Sequence, residues 1–576
     1  MEGRHSCPPD LSHTEPMPNH FTTHTAPAPD LETTKARYAK LTTALETATT
    51  AEAALTVLQQ WDTLLTEIKE WASLTQIHFH QDTTNPDYKA AMDYLDAEGS
   101  KFTTLEVDFK NRLLASPFRA ELEAATAPQL FALWQCNANA YGSAIEADTA
   151  AEAALASEYT ALVSSGALVF DGETLNLSQI GKHYESPDRD IRHRTCLAAS
   201  QWFSDNASEL DRIYDDQVKL HQTMAEKLGY PNYVPLAYEA RTRIGFGPDD
   251  IATFRNEVAE HVVPLATELA KTQAANLGVD SLKYWDEPVQ FPDGNPTPQG
   301  DHDTLVASAT TMFESMGHGL DTLFTTMVDR GLIDLEARKA KAGGGFCDFL
   351  HQLDLPFIFA NFNGTRGDVD VFTHEMGHAF QAHSSRNAPH SDIVWPTTEA
   401  CEIHSMALEY LAWPHLDLFY GEEPAEKIRH AHLASSVAFL PYGVCIDHFQ
   451  HTVHENPDAS PADRLTMWQE LEKTYLPWYD YGDLPAESAG RLWQMKQHLY
   501  NAPFYYIDYT LALTGALQFW QKSQTDYPST LDTYTALCQR GGTLPFTGLL
   551  DSAGLESPFT PGTLKSVITE ARNYLA

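Results

Sequence analysis

The stretch that most constrains this chain is Val371-Phe-Thr-His-Glu-Met-Gly-His-Ala-Phe-Gln381, which holds His374, Glu375 and His378 in the order H-E-x-x-H. On a helix, residues four apart are rotated by only about 40°, so both imidazoles project from one face. Two neutral imidazole nitrogens on one face can hold a Zn2+. Glu375 sits one step round, where a water activated by that metal would be. The chemistry this suits is metal-assisted peptide hydrolysis.

With 25 histidines in the chain, a bare H-E-x-x-H can also arise by chance on a surface helix, so the residues downstream of it matter. Zinc held by two histidines needs a third protein ligand, preferably an anion, with the fourth position left to water. The metzincin pattern would place a Gly and then a His three and six residues after His378. Those positions are Gln381 and Ser384. The next source is Thr397-Thr-Glu-Ala-Cys-Glu-Ile-His-Ser-Met-Ala-Leu-Glu-Tyr410, where Pro396 and the two threonines mark a helix start. Glu402, Ser405 and Glu409 share one face of that helix, and Glu399 reaches it one turn earlier. Glu402 and Glu399 both stand as third ligand on this reading. Cys401 projects about 100° away from Glu402 and reads as packing.

Together, His374-Glu-Met-Gly-His378 and Glu402-Ile-His-Ser405-Met-Ala-Leu-Glu409 resemble the zinc peptidases that include oligoendopeptidase F and thimet oligopeptidase. Those enzymes pair a H-E-x-G-H helix with a later E-x-x-S-x-x-x-E helix. The resemblance implies one Zn2+ per chain on His374, His378 and Glu402, with Glu375 as general base. Glu399, Ser405 or Glu409 would orient a zinc-binding histidine, Glu399 first. It also implies a mainly α fold of two lobes, a small β-sheet beside the zinc helix and a deep central channel that admits short unfolded peptides. The likeness runs over roughly residues 200–545.

Two further stretches bear on substrate. Hydrolysis develops negative charge on the scissile carbonyl oxygen, which a phenol or imidazole donor would stabilise. The run His498-Leu-Tyr-Asn-Ala-Pro-Phe-Tyr-Tyr-Ile-Asp-Tyr509 supplies such groups. By the same resemblance His498 is the leading histidine, and Tyr506 and Tyr509 are a pair of tyrosines that close over substrate. Tyr505 is the rival to Tyr506. Leu355-Pro-Phe-Ile-Phe-Ala-Asn-Phe-Asn363 reads as a strand closed by Asn363-Gly364. As an edge strand beside the metal, it would pair Ala360, Asn361 and Phe362 with a peptide backbone. The alternative is an ordinary buried strand.

The formal net charge of −41, from 79 acids against 38 Lys plus Arg, argues against nucleic acid and anionic membranes as partners. No run of 18 apolar residues offers a membrane span. Seven cysteines, odd in number and without a C-x-x-C pair, fit a reducing compartment and hence the cytoplasm. Residues 1–30 lack the apolar core of a secretory signal and read as a disordered extension. Residues 31–200 read as an N-terminal helical region and 201–576 as the catalytic zinc-peptidase domain, acting as a monomer or small homo-oligomer. Leu58, Trp61, Leu65 and Ile68 form one apolar helical stripe. His448, His451 and His454 drift round their helix and read as structural.

The function expected is zinc-dependent endopeptidase action on internal bonds of short peptides. Two alternatives remain. A metallocarboxypeptidase would need a cation lining the cleft to receive the C-terminal carboxylate. A non-catalytic peptide binder with a structural metal would have no need of Glu375.

Overall fold

Capping and apolar spacing explain the first helices of the computed structural model, which describes residues 20–576. Asp30, Thr50 and Asn85 each accept a backbone N–H at the starts of helices Leu31–Glu46, Ala51–Gln81 and Pro86–Leu114. The predicted stripe is buried: Leu58, Trp61 and Leu65 pack with Phe109 and Trp134, and Ile68 lies against them. This first core runs from Tyr38 to Trp134 and also takes in Ile393 from far along the chain. The next long helix, Glu146–Ser164, belongs to the main core instead, where Tyr159 stacks on Tyr500 at 3.8 Å between ring centroids. The main chain of the fold is helical throughout, with two small sheets.

Residues 20–30 are not a loose extension. Phe21 is buried against Phe357 with ring centroids 4.5 Å apart, and its backbone N–H donates to Arg330 O at 2.8 Å. His24 bonds to the fully buried Glu70. One aromatic side chain with a matching pocket orders the segment, a contact that composition cannot reveal. The rest of the expected disordered extension, residues 1–19, lies outside the described residues.

Strands β1 (Leu168–Phe170) and β2 (Glu173–Leu175) form the predicted hairpin, with Asp171 and Gly172 both at positive φ in the turn. The second sheet comprises β3 (Ile333–Glu336), β4 (Phe346–Leu350) and β5 (Leu355–Phe362), in the order β3-β5-β4. β5 is the middle strand, so the edge-strand expectation is corrected for the strand as a whole, although β4 pairs it only as far as Phe359 and Ala360–Phe362 run beyond that ladder. β3 runs parallel to it, with Ile333 opposite Ile358. β4 runs antiparallel, with Phe346 opposite Phe359. Ala360 is buried and its carbonyl accepts from Lys341 Nζ at 2.6 Å; Asn361 Nδ2 donates to Ala342 O and Gly344 O. An almost unbroken apolar run is what a strand covered on both sides requires. The short β4 is the sheet's edge on the side of the motif helix.

That helix, Gly367–Ser384, begins where the Asp368 carboxylate accepts from Asn363 N and Gly364 N. It crosses helix Thr398–Leu411, which in turn packs on helix Ile507–Ser523. The first crossing is unusually close. A Cβ at Gly377 would lie 2.6 Å from both His404 O and Ser405 Cα, so only glycine allows this approach of the two backbones. The six cysteines among the described residues are all unpaired. None of the described helices is long and apolar enough to cross a membrane.

Gly377→Ala should force the two helices apart. The expected cost is about 1–3 kcal/mol of stability, in line with overpacking of a tight core, together with weaker metal retention. Thermal melting and metal analysis after dialysis check both.

Candidate active site

The crossing at Gly377 delivers three donor groups to one point. Ligand atoms of His374, His378 and Glu402 all lie within 4.8 Å of one another. The two imidazoles meet the same carboxylate oxygen, with His374 Nε2 3.2 Å and His378 Nε2 3.4 Å from Glu402 Oε2. His374 faces a carboxylate on each ring nitrogen, Glu409 on Nδ1 and Glu402 on Nε2, so it bears positive charge when both nitrogens donate. Without a metal, that charge is a proton. Burial opposes it on His374, but hydrogen bonds to Glu402 and Glu409 hold the imidazole pKa well above its usual value. A divalent cation would take the proton's place. Two imidazoles and one carboxylate are the donor set of a catalytic zinc site, so the residues present fit the metal.

The tautomer that this requires is set by a chain of hydrogen bonds. Trp413 Nε1 donates to His432 Nδ1 at 3.0 Å, and His432 Nε2 lies 2.9 Å from Glu409 Oε2. Because indole is a donor only, the His432 proton must be on Nε2 and point to Glu409. Glu409 Oε1 then accepts from His374 Nδ1 at 2.8 Å, which leaves the His374 Nε2 lone pair aimed into the site. Burial alone would raise the Glu409 carboxyl, but its two histidine donors bring it down to about 2. Ser405 Oγ donates to Glu402 Oε2 at 3.0 Å and steadies the third group.

The sequence places Glu399 first as the residue orienting a histidine. The structure gives that place to Glu409. Glu399 accepts from Thr397 Oγ1, and its other oxygen has no partner among the described residues. Burial, then the nearby Asp508 carboxylate, pushes Glu399 up to about 8. One turn of offset along the helix turns it away from the histidines and toward the buried pair of Asp508 with Arg243.

Glu375 is buried on the same helix, and burial raises its carboxyl pKa. A Cβ on Gly345, at the mouth of β4, would come 3.5 Å from Glu375 Oε1, so the sheet edge passes directly beside this carboxylate. Asn361, by contrast, lines a cleft of about 780 Å3 with Lys341, Gly343, Asn363 and Thr365. Phe362 packs its ring on Phe372.

The tyrosine-rich stretch forms the opposite wall. Tyr505 donates its OH to Glu402 Oε1 at 3.1 Å. Tyr509 lies against Tyr505, with centroids 4.9 Å apart, and burial followed by the Glu402 charge pushes its phenol up to about 12. The ring of Tyr506 is buried against Phe439 and Tyr442, which makes Tyr505 the one that reaches the carboxylate. His498 stands among all three rings, and burial, with the nearby Lys496 and Arg241 charges, lowers its pKa.

Sequence reading missed what holds this wall in place. Arg241 Nε donates to Pro503 O at 2.9 Å, Arg243 donates to Phe504 O and to Asp508 Oδ1, and Gln450 Oε1 accepts from Phe504 N at 2.7 Å. The two arginines sit in a segment that reads only as loop. His432 was missed as well. Its signal was present, since a histidine in a long helix with no surface role invites a search for a buried acid. His448, His451 and His454 have structural partners, namely Tyr475, Tyr238 and His221.

A profile of peptidase family M3 matches residues 319–568, and one of the peptidase M3 N-terminal domain matches residues 21–141. Among solved structures, PZ peptidase A with inhibitor 2 is similar at 39% identity and a TM-score of 0.91, covering 96% of this chain and 99% of that one. A putative oligoendopeptidase F is similar at 42% identity and a TM-score of 0.91, covering 96% and 98%. A putative oligoendopeptidase F from Bacillus anthracis str. Ames is similar at 39% identity and 0.87, covering 97% and 98%. A search among curated proteins finds no match.

Glu409→Ala should weaken metal binding by roughly 10–100-fold while leaving the helices intact, because it frees the His374 ring and its tautomer. Competition with a chromogenic chelator measures the affinity, and circular dichroism checks the fold.

Proposed function

The chain belongs to peptidase family M3, and from that premise we propose that it is a zinc-dependent oligoendopeptidase that cleaves internal bonds of short unfolded peptides. The observation that carries this reading is the convergence of His374, His378 and Glu402 within 4.8 Å, with Glu375 buried beside them. Zn2+ held by those three residues would polarise the scissile carbonyl and make water nucleophilic near neutral pH.

The protein's own groups do the rest. Glu375 accepts the proton of the attacking water and returns it to the leaving nitrogen. Its burial, which raises the carboxyl pKa, brings it nearer the range such a base needs. Tyr509, with Tyr505 and His498 beside it, donates to the carbonyl oxygen as charge develops there. Tyr506 backs these groups as part of the wall. The edge of β4, rather than β5, pairs with the peptide backbone. Gly343-Gly-Gly345 leaves that edge clear of side chains, and backbone pairing reads no particular substrate side chain. A channel between two lobes would restrict entry to short, unfolded chains. The odd, scattered cysteines of the sequence support the cytoplasm as its place of work.

Digestion of a peptide pool of graded lengths, with products read by mass spectrometry, tests the reading. Internal cleavage should stop with a chelator and return with zinc. Trimming of single C-terminal residues would replace this reading with the carboxypeptidase one. Bound zinc without any cleavage would make the protein a peptide binder. Glu375→Gln should keep its metal and lose hydrolysis by roughly three orders of magnitude or more, since general-base catalysis alone contributes about 10²–10⁴-fold. Turnover retained by that variant would exclude Glu375 as the base.

A further inference from the structure

The two helices that carry the metal ligands, Gly367–Ser384 and Thr398–Leu411, are joined by residues 385–397. The middle of this connection is held by helices from the start of the chain. Asp392 Oδ1 accepts from Lys69 Nζ at 2.6 Å. Its Oδ2 accepts from Trp134 Nε1 at 2.9 Å and lies 3.1 Å from Lys110 Nζ. Lys69 also donates to Ser391 Oγ at 3.1 Å, and the Ser391 N–H donates to Asp62 Oδ1 at 3.1 Å. Ile393 is buried in the first core with Trp61 and Trp134. Burial opposes charge on Asp392, but the Lys69 and Lys110 ammonium groups hold its carboxyl well below the usual carboxylate range. Asp62, Lys69, Lys110 and Trp134 all lie in the stretch that matches the M3 N-terminal domain.

Within a few residues the same connection touches both halves of the metal site. Val394 O accepts from Gln381 Nε2 at 2.9 Å and from Ser385 Oγ at 2.7 Å, and Gln381 stands three residues beyond His378. The Trp395 ring lies 6.2 Å from the His378 ring. Thr398 then opens the helix that presents Glu402 one turn on. A shift at Asp392 therefore reaches His378 through Val394 and Trp395, and Glu402 through the start of its helix. Apolar contacts are non-directional, whereas two ammonium groups and an indole N–H around one carboxylate fix both its place and its orientation. A buried ion cluster adds little net stability over apolar packing of similar volume, so stability alone is a poor account of this one.

We infer that Asp392 is a positioning residue for the metal site: by clasping it, the N-terminal domain sets where Glu402 stands relative to His378. The inference rests on the metal-binding half of the peptidase reading. It gives the N-terminal domain a part in the chemistry although none of the clasping residues is a metal ligand.

The test uses the full chain with Lys69→Met, Asp392→Asn and Trp134→Phe. The last removes only the indole donor and serves should either of the others fail to fold. Lys69→Arg is the conservative rescue. Leu122→Ala, at a fully buried position on another helix of the same core, controls for lost stability. Zinc affinity is read by competition with a chromogenic chelator, ligand geometry by the visible absorption of the cobalt-substituted protein, and kcat and KM at saturating zinc on one fluorogenic peptide. The three clasp variants should each weaken zinc binding by ~10-fold, the low end for outer partners of metal ligands. They should also alter the cobalt spectrum and lower kcat with KM nearly unchanged. Lys69→Arg should return affinity, spectrum and kcat toward those of the unaltered protein. Leu122→Ala should melt earlier yet keep affinity and spectrum. Unchanged affinity and spectrum in the clasp variants, or equal losses in Leu122→Ala, overturn the inference and leave the peptidase reading intact. A protein that binds zinc but cleaves nothing overturns the peptidase reading, and affinity and spectrum still decide the role of Asp392.

Discussion

The backbone contact at Gly377 is the constraint on which the rest of the site depends. A histidine pair on one helix face defines a direction but not a site, since the third group must come from elsewhere in the chain. With no side chain at Gly377, helix Thr398–Leu411 closes on the motif helix until a Cβ there would fall 2.6 Å from His404 O. Glu402 is two residues before His404, and the closeness of the crossing brings its carboxylate to both imidazoles. On its far side the same helix meets Gly515, where a Cβ would stand 3.2 Å from Ile403. Helix Ile507–Ser523 can therefore approach as well, carrying Tyr509 at its start. Two glycines stack three helices closely enough for one small carboxylate to meet His374 and His378 on one neighbour and Tyr505 in the turn that leads into the other.

Close packing creates an electrostatic problem, because it buries Glu375, Glu399, Glu402, Asp508 and Arg243 together. Isolated charges in such a place cost several kcal/mol each. The solution is pairing in two separate sets. Glu402 and Glu409 are answered by His374, His378 and His432, so the acidic set sits where a cation is to be bound. Asp508 is answered by Arg243, which also binds the carbonyl of Phe504 and so uses the ion pair to fix the turn that carries the tyrosines. Glu399 falls between the sets, and burial with Asp508 nearby raises its pKa to about 8.

How much the sequence made legible depends on where the information lies. The histidine pair, Glu375 and the Glu402–Ser405–Glu409 face are spacings within single helices, and helical periodicity reports them directly. The sheet's strand order does not lie in any one strand. β5 has an apolar pattern that correctly marks it as a strand, but whether Ala360–Phe362 are an edge depends on β3 and β4, which approach from either side. The order of Glu399 and Glu409 depends on how two helices are rotated against each other. Phe21 is a single aromatic in a polar stretch, and its pocket joins His78 from the nearby helix to Phe357, more than three hundred positions away.

The choice between Tyr505 and Tyr506 shows the limit most clearly. Adjacent residues at the start of a helix point about 100° apart, so one faces the metal site and its neighbour faces the core. Which is which depends on the angle at which the chain enters the helix. Here Phe504, just before the two tyrosines, adopts a positive φ of 62°, a conformation that costs a residue with a bulky side chain. Nothing in the letters His-Leu-Tyr-Asn-Ala-Pro-Phe-Tyr-Tyr predicts that angle. It is held because Gln450 binds the Phe504 N–H, Arg243 binds its carbonyl, and Arg241 binds the carbonyl before it. Those three residues come from two segments far away in sequence. The orientation of one phenol toward Glu402 is thus fixed by the tertiary structure, and the strained turn persists only because the fold over-determines it.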